Sequence, residues 1–171
     1  MPTGGRASVV NQLGETVTRE PAATLADTMA LLVSGHLGKE LGLTGEQLRL
    51  GLNVARNHLA RGVPAEAMRI YAALVLCEPL NIDFQVGLSN CAGLLGEHHI
   101  ALQAASAVIA IGPTDPRGYL LSGRSCLMLN SFTEAKTDLE DALHFAGLAG
   151  NDDVAGEAKA LLERLSAAMA S

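Results

Sequence analysis

Residues 62–67 read Gly-Val-Pro-Ala-Glu-Ala, residues 96–101 Gly-Glu-His-His-Ile-Ala and residues 130–135 Asn-Ser-Phe-Thr-Glu-Ala. Each segment opens on a residue that tolerates a left-handed backbone, closes on alanine, and follows the previous one at an interval of 34 residues. Pro79 and Pro113 keep the same interval, and so do Leu74, Val108 and Ala142. A fixed period carried by turn residues, small residues and apolar residues together means one supersecondary unit stacked on copies of itself.

Two helices in a 34-residue unit is the tetratricopeptide signature. The sequence therefore predicts an all-α fold of three tandem tetratricopeptide repeats, at 48–81, 82–115 and 116–147, wound into a short right-handed superhelix. Residues 1–20, with Pro2, Gly4 and Gly5 and no periodicity, are expected to form a flexible tail. Residues 21–47 are expected to hold an N-terminal helix and a connector. Leu25, Met29, Leu32 and Val33 line one stripe of that helix and form a candidate dimer interface. Residues 151–171 supply a C-terminal capping helix opening at Asn151-Asp152-Asp153, with Val154, Ala158, Leu161, Leu162, Leu165 and Met169 on one face.

Local signals place the repeat helices. Thr44 and Gln47 have capping-box spacing, which opens a helix at about 46–61, and Pro64 starts the next, to Cys77. Asn81 is a candidate N-cap for 83–95, and a helix over 98–111 follows Gly96. Asp115-Pro116 opens the third repeat, Ser131 and Glu134 repeat the capping-box spacing, and Gly147 stands where the earlier repeats have proline. At the eighth position of the first helices stand Ala55, Ser89 and Gly123, and at the twentieth position of the repeats Ala67, Ala101 and Ala135. Small residues at both sites let paired helices approach closely.

Composition narrows the function. The 171 residues are 49% hydrophobic and 18% charged, which suits one globular domain. A net charge of −6 argues against nucleic acid and against anionic membrane surfaces. Cys77, Cys91 and Cys126, odd in number and without CxxC spacing, are expected to be small buried residues in a reducing compartment. Without an apolar signal-like N-terminus or a membrane-length apolar run, a cytoplasmic location with no stable membrane insertion is expected. His98 and His99, adjacent on a helix, point about 100° apart and make a poor metal pair. There is no phosphate-binding loop and no nucleophile elbow, so neither an enzyme nor a cofactor is expected.

In such a stack the first helix of each repeat faces inward. The inward positions give Arg49, Leu52, Arg56, Leu59 and Ala60 in the first repeat, Asp83, Val86, Asn90, Gly93 and Leu94 in the second, and Arg117, Leu120, Arg124, Leu127 and Met128 in the third. Apolar residues beside Arg and Asn form a candidate peptide-binding groove.

Residues 33–44, Val-Ser-Gly-His-Leu-Gly-Lys-Glu-Leu-Gly-Leu-Thr, resemble the lead-in of the class II chaperones of bacterial type III secretion. Residues 83–91, the Asp115-Pro116-Arg117 cap and Phe132-Thr133-Glu134-Ala135 are similar to that family as well. The resemblance implies a bacterial cytoplasmic chaperone that binds an extended segment of hydrophobic translocator proteins in its groove, and a homodimer formed through the N-terminal region. It also marks one departure. Family members often carry aromatic residues where this groove has Leu52, Arg56 and Leu59. Two other readings stand beside it: a general repeat adaptor gripping a C-terminal carboxylate with Arg56 and Arg124, and an oligomer whose groove is filled by a neighbour's tail.

Overall fold

The turn inside each repeat sets the architecture. In the computed structural model, which describes residues 8–10, 16–18 and 37–169, Gly62, Gly96 and Asn130 have φ of 72°, 80° and 61°. The N–H of the residue after each one donates to a carbonyl five residues back: Val63 to His58, Glu97 to Ala92 and Ser131 to Cys126, all at 2.9 Å. This left-handed closure satisfies carbonyls freed at the end of the first helix and aims the chain into the second. It also explains a correction. Ser131 takes ψ of 68° and its side chain caps nothing, so the expected Ser131–Glu134 box does not form. Thr44, at ψ 155°, does form its box: Gln47 N–H donates to Thr44 Oγ1 at 3.2 Å and Thr44 N–H to Gln47 Oε1 at 2.8 Å.

After a short helical turn α1 (Leu37–Glu40), the repeats are α2 (Gly45–Ala60) with α3 (Pro64–Cys77), α4 (Ile82–Leu94) with α5 (His98–Ile111), and α6 (Pro116–Met128) with α7 (Phe132–Ala149). The closing helix is α8 (Asp152–Met169), where Asn151 Oδ1 accepts from Val154 N–H at 3.2 Å. Helix α7 runs on past Gly147 and ends at Gly150, whose φ of 66° supplies the left-handed stop. With nothing to block it at 147, the last repeat helix is longer than its counterparts.

The joints between repeats are built from equivalent residues. Asn81 and Asp115 cap α4 and α6, accepting from Phe84 N–H at 3.4 Å and Arg117 N–H at 3.0 Å. Gln85 Nε2 donates to Pro79 O and Tyr119 Oη to Pro113 O, both at 2.9 Å. Each bond ties a first helix to the proline that ends the preceding repeat.

The small residues sit where the helices touch. Ala55, Ala67, Ala101 and Ala135 are buried, and Ser89 Oγ donates to Ala101 O at 2.8 Å. A Cβ on Gly123 would stand 2.7 Å from Leu139 Cγ and 3.3 Å from Ala135 O. One apolar cluster, including Leu48, Tyr71, Leu74 and Phe84, spans the first two repeats, and another, including Leu120, Leu139 and Ala158, joins the third to α8. Cys77, Cys91 and Cys126 are buried and free, and burial pushes the Cys91 thiol up to about 11. That keeps it in the unreactive thiol form.

Residues 1–34 form a separate unit. Within it Ser8–Val10 (β1) pairs antiparallel with Thr16–Thr18 (β2), Val9 opposite Val17. The sequence reading placed no element there, although β-branched Val and Thr favour such pairing. The candidate dimer residues Leu25, Met29, Leu32 and Val33 lie outside the described residues.

Candidate functional site

Helices α2, α4 and α6 stand side by side, so residues at the same repeat position become neighbours. Arg117 and Asp83 both hold the second position, and Arg117 Nη1 donates to Asp83 Oδ1 at 2.9 Å. Arg56 Nη2 approaches the other oxygen of Asp83 at 3.6 Å. Arg117 also clamps Asp115 through Nε and Nη2 at 3.0 and 2.7 Å. Burial opposes ionisation of Asp115, but the guanidinium and its own capping bond more than offset this and hold its carboxyl below the usual range. Asp115 in turn holds the Arg117 charge firmly in place.

One step further along the same face, Arg124 and Asn90 share the ninth position. Arg124 Nη1 donates to Asn90 Oδ1 at 3.5 Å, and its Nε lies 3.6 Å from Glu157 Oε1 on α8. Beside this pair a cavity of about 450 Å³ opens between α4, α6 and α8. Asn90, Leu94, Arg124 and Leu127 line it. So do Met128, Phe132, Leu161, Arg164 and Leu165. Leu94 and Met128 are 62% and 61% exposed, so their apolar surface faces the opening.

A second depression, between α2 and the start of α4, is lined by Arg49, Leu52, Asp83 and Phe84. Arg56 and Arg117, which flank Asp83, line neither depression. Nor do two of the apolar positions. Leu59 and Val86 are half-buried and line neither depression; Leu59 packs on the first cluster. Leu120, expected in the groove, is instead 6% exposed and packs in the cluster shared with Leu139, Val154 and Ala158. The cause is α8, which folds against α6 and α7 and covers that position.

The contribution of α8 to the cavity wall was not read from the sequence. Leu161 and Leu165 were assigned to the capping stripe, but a helix that caps the last repeat and also reaches α6 must border the groove. The exposed Phe132 next to the third turn is a second signal available in the sequence. Among the described residues, no cluster of His, Cys, Asp and Glu could hold a metal ion, and no helix is long and apolar enough to cross a membrane.

No family model matches the sequence, and no curated protein does. The fold is another matter. A T3SS complex from Aeromonas hydrophila is similar with a TM-score of 0.75 at 22% identity, over 82% of this chain and 95% of that one. PcrH in complex with the chaperone binding region of PopD matches with a TM-score of 0.71 at 24% identity, over 75% and 97%. The Yersinia enterocolitica type III secretion translocator chaperone SycD, in an alternative dimer, matches with a TM-score of 0.69 at 17% identity, over 74% and 96%. Tetratricopeptide domains outside secretion share the arrangement too. Over the helical part of the chain, the likeness establishes a tetratricopeptide fold of the kind that translocator chaperones have.

Proposed function

We propose that this protein is a chaperone for hydrophobic translocator proteins of a bacterial type III secretion system. It binds an extended segment of the client along the face formed by α2, α4 and α6, and keeps it soluble and unassembled in the cytoplasm before export. The observation that carries this reading is the cavity between α4, α6 and α8, whose exposed Leu94 and Met128 stand beside Asn90 and Arg124. Apolar surface of this kind anchors a partner's side chains, and the polar groups can satisfy an extended backbone. The lead-in at residues 33–44 and fold neighbours that include PcrH with a PopD segment support the choice of client. A homodimer through Leu25, Met29, Leu32 and Val33 belongs to the same proposal.

The carboxylate-clamp alternative fits less well. Arg56 already faces Asp83 and does not line the cavity that Arg124 borders, so the two arginines do not converge on one carboxylate. Co-expression tests the chaperone reading. A hydrophobic translocator client stays soluble with the wild-type protein and precipitates with Leu94→Glu/Met128→Glu. A client equally soluble with both proteins would refute the groove assignment.

A further inference from the structure

The charges around the cavity run against the charge of the whole chain. The protein carries 18 acidic and 12 basic residues, yet the charged residues lining the cavity are Arg124 and Arg164, with no aspartate or glutamate among them. His98 also lines it. Arg124 reaches the wall from α6 and Arg164 from α8, so cations flank an apolar floor of Leu121, Leu161 and Leu165. Arg124 is held by two long contacts, 3.5 Å to Asn90 and 3.6 Å to Glu157, which leave donors for a stronger acceptor.

From this we propose that the cavity selects a partner segment in which a large apolar side chain is flanked, within a few residues, by an aspartate or glutamate. The apolar side chain fills the floor between α6 and α8, and the carboxylate bridges Arg124 and Arg164. A volume of about 450 Å³ is within the range of pockets that engulf such groups. The inference rests on the peptide-binding reading above and narrows it. Apolar burial supplies the affinity, while the two arginines reject segments whose flanks are basic.

Selection from a random dodecapeptide phage library on the full-length protein tests this. The wild-type protein enriches peptides with Leu, Ile, Met or Phe close to Asp or Glu. Arg124→Gln/Arg164→Gln keeps the apolar preference and loses the acidic one. A synthetic peptide from the wild-type selection weakens about fivefold on the double variant, while its Gln/Asn counterpart changes less than twofold. Arg164→Gln alone, which leaves the Arg124–Glu157 contact in place, gives part of the loss and guards against a folding defect. Apolar enrichment without any acidic preference, or an acidic preference that survives in the double variant, overturns the proposal and leaves the groove standing. Peptides indifferent to Leu94→Glu/Met128→Glu overturn the groove itself. Shifts of Leu161 and Leu165 methyl signals with protein concentration, and not with peptide, would assign the cavity to a second copy of the chain and also overturn it.

Discussion

Arg117 and Asp83 stand 34 residues apart in the chain and 2.9 Å apart in space. Both occupy the second position of a first helix, so the repeat that spaces them in sequence also brings them together. Asp83 shares its second oxygen with Arg56, and one carboxylate thereby links all three repeats. These side chains are partly exposed, which limits the worth of each pair to roughly 0.5–1 kcal/mol. A double-mutant cycle on Arg117→Ala and Asp83→Ala is expected to return a coupling of that size, shrinking as salt is raised. No coupling at low salt would mean that packing alone aligns the first helices.

Close helix contact gives a sharper expectation. Gly123→Ala must push its new methyl against Leu139 and should cost about 1–3 kcal/mol in urea unfolding. Gly93→Ala places the same methyl in open space on α4 and should stabilise by about 0.5–1 kcal/mol. If the two substitutions have equal effects, the eighth position does not set the helix spacing.

Asp138 provides a pH signature. Burial raises its carboxyl above the usual range, with Asp141 adding to the effect, although Ser122 Oγ donates to it at 2.6 Å. A raised value in the folded state means stability fully present below the ordinary carboxylate range and lost as pH rises through the raised one. Asp138→Asn keeps an acceptor for Ser122 and removes that loss. Its Tm should match the wild type in acid and exceed it at neutral pH; a constant difference across pH would refute the assignment.

Leu120 separates fold from site. Buried against Leu139, Val154 and Ala158, it should cost about 2–5 kcal/mol as Leu120→Ala. Leu94→Ala, at the rim, should leave stability within about 0.5 kcal/mol of the wild type. Thermal melts of the two variants decide this, and similar losses would mean that Leu94 is also part of the packed core.

Much of this was legible before any coordinates. Gly62, Gly96 and Asn130 announce their left-handed turns, and Ala55, Ser89 and Gly123 their close contacts, because both follow from backbone sterics that repeat with the period. The pairing of Asp83 with Arg117 was not read, although residues at equal repeat positions compared for opposite charge would have shown it. Leu120 was not. Periodicity tells which way a helix faces within a repeat, but α8 lies outside the period and its path across α6 depends on tertiary packing. The same helix turned an open groove into a walled cavity, where Leu161 and Leu165 of the capping stripe, with Arg164, form a wall that the period does not reveal.

The central claim is that the face built from α2, α4 and α6 holds a segment of a partner protein. Titration calorimetry with the purified client segment tests it most directly, comparing the wild type, Leu94→Glu/Met128→Glu and the control Leu148→Glu, whose 73%-exposed side chain lies away from the cavity lining. The account predicts equal binding for wild type and control and a loss of at least about tenfold for the cavity variant, with all three equally folded. Equal binding by all three proteins would contradict it.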